Sequence, residues 1–264
     1  MNSLESEKEL SPKYIRLILS PLRQALQQAV IWEMLPFNPA EGGRIHLPSK
    51  TDREYRIFSK PEIRQFLEET EGDRFHALWV LLFTTGLRPQ EAMALKWEDL
   101  DDGWLRVRRV IRRVASEGRK IGVSDEMKTK QSKRRVKLPE ATQAVLERHK
   151  AEQAKTILRA GDKYARNGFI FAWDDGSFID PRVARRDFND ALEDAGLPGE
   201  IRLYDTRHTH ISHLIMDGVD LKKASTRAGH ASINQTADTY AHLSEEAEEE
   251  MAEVAAGMVA AGAR

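Results

Sequence analysis

Tyr204-Asp205-Thr206-Arg207-His208-Thr209-His210 opens a stretch that passes through Ala228-Gly229-His230 and closes on Asp238-Thr239-Tyr240; its reading decides the fold. One guanidinium, one imidazole and one phenol recur at wide spacing, on segments of helical pattern. A guanidinium suits a planar, multi-oxygen anion such as a phosphate. A histidine after a glycine sits where backbone can approach a ligand closely. A tyrosine can act as a covalent nucleophile.

Two further stretches carry chemistry. Thr85-Gly86-Leu87-Arg88-Pro89-Gln90-Glu91 joins an apolar helix to a second helix and presents an arginine at the joint. Lys128-Thr129-Lys130-Gln131-Ser132-Lys133-Arg134-Arg135 is a run of cations ahead of Pro139. Read singly, each has an ordinary explanation: a solvated arginine, a solvated charge run, a satisfied core histidine, a half-buried tyrosine.

Together and in this order, the motifs resemble those of the tyrosine recombinase (phage integrase) family. That family's first block is Thr-Gly-x-Arg-x-x-Glu; its second runs His-x-x-Arg, then Gly-His, then the nucleophilic tyrosine about ten residues on. Arg88, Arg207, Gly229-His230 and Tyr240 match, whereas Tyr204 stands where the family has histidine. The resemblance covers about Arg56 to Leu243. It implies catalytic roles for Arg88, Lys130, Tyr204, Arg207, His230 and Tyr240, with Glu91 orienting its neighbours. Lys130 fits the family's catalytic lysine by its spacing to Pro139, with Lys128 as the fallback. Lys128, Lys133, Arg134 and Arg135 are expected to touch DNA. The reaction implied is cutting and rejoining of double-stranded DNA through a 3′-phosphotyrosyl link, without metal, ATP or other cofactor. Two alternatives stay open: a type IB topoisomerase, which uses a similar residue set, and a non-catalytic DNA-binding relative.

Composition fits this reading once charge is located rather than summed. The 264 residues carry a formal net charge of −1. Arg106 to Lys137 nevertheless holds thirteen Lys and Arg against three acids, a basic segment suited to phosphate. The acids collect elsewhere, notably at Glu245–Glu253. There are no cysteines, which excludes disulfides, thiolate chemistry and cysteine zinc sites. His208, His210 and His213 lack the spacing of zinc helices, and His208 reads as structural. The polar, acidic start is unlike a signal peptide, no apolar run is long enough for a membrane span, and a cytoplasmic protein is the simplest reading.

The expected fold is mainly α with a small antiparallel β-sheet: an integrase-type catalytic domain preceded by part of a helical core-binding domain. Residues 1–40 supply a helical segment from Ser11-Pro12, with apolar positions at helical spacing and Pro21 predicting a kink or a break. It resembles the last helices of the DNA-clamping core-binding domain, and only part of such a domain fits there. Residues 41–55 read as a linker and 56–243 as the catalytic domain. Within it, Ser59-Lys60-Pro61-Glu62 predicts a capping box. Phe75–Thr85 predicts a buried central helix stopped by Gly86, and Pro89 starts a helix carrying Glu91, Met93 and Leu95. Trp104–Val114 and Lys133–Leu138 predict strands, with Gly118 and Gly122 between them. Pro139–Leu158 reads as helical, Gly168–Trp173 as strand-like. Asp180-Pro181 caps a helix ended by Gly196, and Asp205 is expected to cap the helix that follows it. Residues 244–264 read as a helical tail, which the family resemblance implies packs on a neighbouring protomer in a DNA-bound homotetramer.

Overall fold

The computed structural model describes residues 10–41, 56–114, 120–125 and 133–229. Lys128, Lys130, His230, Tyr240, Gly118 and the tail at 244–264 lie outside the described residues. The chain divides into two compact units, Met1–Glu54 and Tyr55–Arg264.

Among the described residues of the first unit is the helix α1 (Pro12–Ile31), capped by Ser11, whose hydroxyl accepts the Tyr14 N–H. Pro21 removes one helical donor, yet Pro12–Ile31 is one helix and not two. The segment after α1 folds back on it. Arg23 Nε donates to the Ala40 carbonyl at 2.8 Å, and Asn38 Nδ2 donates to the Arg23 carbonyl at 3.1 Å.

In the second unit, local signals set most boundaries. Ser59 and Glu62 form the capping box of α2 (Lys60–Glu69): Ser59 N–H donates to Glu62 Oε2 at 2.8 Å, and Ser59 Oγ accepts the Glu62 N–H. α3 (His76–Thr85) is apolar on every side and buried from Ala77 to Phe83. A helix without a polar face has to sit at the centre. α3 packs against α2, α5 (Glu140–Ala160) and α7 (Asp205–Met216). Phe58, Phe66, Trp79, Phe83 and Phe188 fill the junction edge to face, with Phe58 and Phe83 at 5.0 Å. Gly86 ends α3 in the left-handed conformation, φ 64°. α4 (Pro89–Ala92) stops sooner than expected, so Met93 and Leu95 lie buried beyond its end. α6 (Pro181–Asp194) is capped by Asp180, which accepts the Arg182 N–H. α8 (Leu221–Ala228) closes the described chain.

The β-structure is antiparallel but more divided than expected. β1 (Leu100–Asp101), β2 (Trp104–Val107) and β5 (Arg134–Lys137) form one sheet in the order β1-β2-β5, with Leu105 opposite Val136. β3 (Val110–Val114) and β4 (Lys120–Ser124) form a separate pair, with Ile111 opposite Val123. Trp104–Val114 is therefore two strands. The break falls at Arg108 and Arg109, whose guanidiniums turn back to Asp99, a carboxylate only 1% exposed. Paired twice, that carboxylate is tolerated in the interior; the strand yields instead. Gly122, expected in a loop, pairs within β4 opposite Arg112. Gly168–Trp173 contributes isolated bridges, Lys96 to Phe169 and Ala172 to Phe178, and no full strand. Among the described residues, no helix is long and apolar enough to cross a membrane.

Candidate active site

Four segments meet at the C-terminal end of α8. Three successive carbonyls there each accept from a different arginine. Arg134 Nε donates to Arg227 O at 2.9 Å, Arg207 Nη1 to Ala228 O at 2.7 Å, and Arg88 Nη2 to Gly229 O at 3.4 Å. A helix leaves its last carbonyls unpaired, with partial negative charge, so guanidiniums are well suited to this position. Gly229 permits the approach. Its φ is 71°, and a Cβ there would lie 2.9 Å from Arg134 Nη1.

Arg207 is the deepest member, 1% exposed, on the first turn of α7. Its Nη1 also donates to the Gly86 carbonyl at 2.9 Å, so one nitrogen bridges the ends of α3 and α8. Its Nη2 is buried and has no hydrogen-bond partner among the described residues. Burial, then the charge of Arg88, holds its pKa down to about 10, still well above neutral. Arg88 sits before α4 and is more open. Its Nη1 donates to Glu91 Oε1 at 2.8 Å and its N–H to Glu91 Oε2 at 3.1 Å. Burial works against the Arg88 charge, but Glu91 more than offsets it and the pKa is raised. Glu91, 2% exposed, also accepts Arg134 Nη2 at 3.0 Å. Burial would raise its pKa, yet Arg134 and Arg88 hold the carboxyl below its ordinary range.

Tyr204 is 39% exposed, its ring against that of His208 at 5.4 Å, and its phenol is close enough to Arg88 to favour the guanidinium charge. Asp205 works in the opposite sense from the expected cap: it accepts the N–H of Arg202, three residues before it. The other two histidines are held by carbonyls. His213 Nε2 lies 2.8 Å from Phe58 O. His210 Nδ1 lies 2.9 Å from Phe83 O, while its Nε2 receives Arg227 Nε at 3.1 Å. Receiving that donor requires a neutral ring, with its proton on Nδ1. The structure thus brings Arg88, Glu91, Tyr204, Arg207 and Arg134 together, while Lys133, just before β5, and Arg135, on it, stay exposed, with Arg135 over the Trp104 ring. Arg227 is the residue that sequence reasoning missed. Its signal was a cation in the last turn of a helix ahead of a glycine. Glu91 pairs with the guanidiniums of Arg88 and Arg134 and its charge also acts on Arg207, while Arg227 lies near Arg134.

The neutral His210 has a pH consequence. Burial, then Arg227, pushes its pKa down to about 4. The unfolded chain binds the proton near pH 6.5 and the folded chain does not until about pH 4. Stability is therefore complete above the unfolded value and lost as pH falls through this window. The expected loss is about 2 kcal/mol by pH 5. Urea denaturation at pH 7.5 and pH 5 should show it in the wild type and not in His210→Gln; equal losses in both would remove His210 as the cause.

Solved structures with this fold are tyrosine recombinases. The integrase of the Tn1549 transposon in complex with transposon right-end DNA aligns with TM-score 0.78 at 23% identity, over 95% of this chain and 82% of that one. A lambda integrase dimer bound to a COC′ core site aligns with TM-score 0.64 at 17% identity, over 90% of this chain and 76% of that one. The chain belongs to the phage integrase family, whose model matches residues 56–247. Among similar sequences are a XerC-like tyrosine recombinase of Caldanaerobacter subterraneus, 33% identical over 88% of this chain, and the ICEBs1 integrase of Bacillus subtilis, 30% identical over 94% of it. The chain spans 63% and 66% of the lengths of these two relatives.

Proposed function

We propose that this chain is the catalytic part of a site-specific DNA recombinase, cutting and rejoining strands through a 3′-phosphotyrosyl intermediate. The observation that carries the reading is the buried, unpartnered Nη2 of Arg207, set in a cluster of guanidiniums that holds one carboxylate among the described residues. A buried donor without an acceptor costs free energy. A phosphate oxygen is the acceptor this surplus of cations suits.

Phosphodiesters cleave very slowly, so the site has to neutralise charge and protonate the leaving oxygen. Arg88 and Arg207 clamp the non-bridging oxygens and stabilise the charge that grows in the transition state. Tyr240 attacks phosphorus as its phenolic proton passes to solvent, the P–O5′ bond breaks, and the 5′-oxygen departs with a proton from Lys130. His230 donates to a phosphate oxygen. Tyr204, near Arg88, donates to a phosphate oxygen through its phenol, a group that donates a hydrogen bond readily but is a poor general base. The phosphotyrosyl link retains the bond energy, so rejoining needs no ATP, and no metal enters the scheme. Lys128, Lys133 and Arg135 contact the backbone of the double-stranded DNA. In this scheme the tail at 244–264 packs on the next protomer of a homotetramer assembled on the DNA.

The test uses nicked duplexes tiled across the DNA flanking the gene. The expected product is a protein–DNA adduct that survives denaturation, with the linked peptide mapping to Tyr240. Adduct at another residue, or none on any duplex, would overturn the proposal. Strand exchange that requires two cognate sites separates a recombinase from a topoisomerase, which relaxes supercoils without them.

A further inference from the structure

We infer that Arg134 is a positioning residue of the strand-transfer site and makes no DNA contact, although it stands in the middle of the Lys133-Arg134-Arg135 cation run. The inference rests on the recombinase reading above. β5 alternates: Val136 is 1% exposed, and Arg134, two residues before it, shares its inward face. The Arg134 side chain is 7% exposed, while Lys133, Arg135 and Lys137 face outward.

The inward guanidinium joins three parts of the site. Its Nη2 holds Glu91 Oε2 at 3.0 Å, and Glu91 in turn holds both the N–H and the guanidinium of Arg88. Its Nε holds the carbonyl of Arg227 at 2.9 Å, at the end of the helix that leads into Gly229-His230. Its own strand follows directly on the segment that carries Lys128 and Lys130. One side chain therefore ties the Arg88 clamp, the end of α8 and the strand behind the general acid. A phosphate that competed for Arg134 Nη2 would have to displace Glu91 Oε2 from a desolvated pair, which is costly. The absence of a Cβ at Gly229 is what lets this guanidinium lie against the helix end.

A positioning role and a DNA contact differ in what they change. The experiment compares Arg134→Gln and Arg134→Lys with Arg135→Gln on the nicked duplexes that give adduct with the wild type. Three quantities are read: the salt slope of DNA binding, the single-turnover rate constant at saturating DNA, and the amplitude of adduct. Arg135→Gln should lose about 0.9 from the log–log salt slope, the value of one phosphate contact. Arg134→Gln should keep the slope and lose roughly a hundredfold in rate constant, the scale of one misplaced clamp. Arg134→Lys keeps a charge for Glu91 but cannot also hold the Arg227 carbonyl. It should melt near the wild type and still be slowed, which covers the case in which the glutamine variant folds poorly. A fallen slope in either Arg134 variant overturns the inference, because Arg134 then touches phosphate. A reduced amplitude with an unchanged rate constant also overturns it, because the residue is then needed only for folding. No adduct from the wild type on any duplex removes the recombinase reading and this inference with it. Wild-type adduct with either of the preceding outcomes removes the inference alone.

Discussion

Arg207→Ala should lower the rate of adduct formation by roughly a thousandfold, in the range lost when a preorganised transition-state donor is removed. Tyr204→Phe should cost far less. The reason lies in what each side chain holds. Arg207 carries a charge buried at 1% exposure, aims one unpartnered nitrogen into the site and uses another to bridge Gly86 O and Ala228 O. Truncation removes the phosphate donor and strips two carbonyls at once, so a loss of stability comes with the loss of rate. Tyr204 is 39% exposed and lies near Arg88. Losing that phenol leaves Arg88 held by Glu91, and the charge clamp survives. Tyr240→Phe sets the floor: it should bind DNA as the wild type does and form no adduct, because only the nucleophilic oxygen has gone. Rates are taken at a temperature where gel shift shows every variant binding DNA. Equal losses for Tyr204→Phe and Arg207→Ala would give Tyr204 a chemical role beyond hydrogen bonding. An Arg207→Ala rate within tenfold of wild type would remove the clamp from the mechanism.

Lys130→Ala should be severely slowed on ordinary DNA and largely restored when sulfur replaces the 5′-bridging oxygen of the scissile phosphate. An alkoxide is a poor leaving group and needs a proton as it departs. A thiolate does not, since a thiol's pKa is near 8.5. The substitution therefore isolates the general acid from every other function of the site. Tyr240→Phe should not recover on the sulfur substrate, because its missing part is the nucleophile. Recovery by Lys128→Ala while Lys130→Ala stays slow would move the acid two residues toward the N-terminus. Recovery by neither would make both lysines DNA-positioning groups. Lys130 belongs to the segment before β5, the strand that Arg134 anchors to Glu91 and to α8. A combined Lys130→Ala, Arg134→Gln protein should for that reason recover less on the sulfur substrate than Lys130→Ala alone.

Much of the fold was legible in local chemistry. Ser59 with Glu62, Gly86, and Asp180 with Pro181 mark helix ends by satisfying backbone groups within a few residues, and such signals need no partner from elsewhere. The all-apolar run from Ala77 to Phe83 required a central position because no face of it is suited to water. The break at Arg108 and Arg109 was not legible. β-branched residues on both sides read as one strand, and the carboxylate that turns the two arginines back lies at Asp99, on an earlier segment. The orientation of Asp205 was likewise missed, because its acceptor could serve either the helix after it or the Arg202 N–H before it.

The candidate site divides in the same way. By itself the sequence showed which residue types are available for chemistry: Arg88 at a helix joint, Arg207 ahead of an apolar run, Gly229 before a histidine, and a phenol at Tyr240. Residue type and spacing are local properties, and they survive without coordinates. Tertiary structure alone decided which cations face inward. Lys133, Arg134 and Arg135 are three adjacent cations in the sequence, and strand alternation assigns them to two faces only once the sheet has been placed against α8 and Glu91. Arg227 and His210 became parts of the site for the same reason. A buried guanidinium is stable only where acceptors from other elements surround it. Here those acceptors are the last carbonyls of α3 and α8, which the chain brings together across more than a hundred residues.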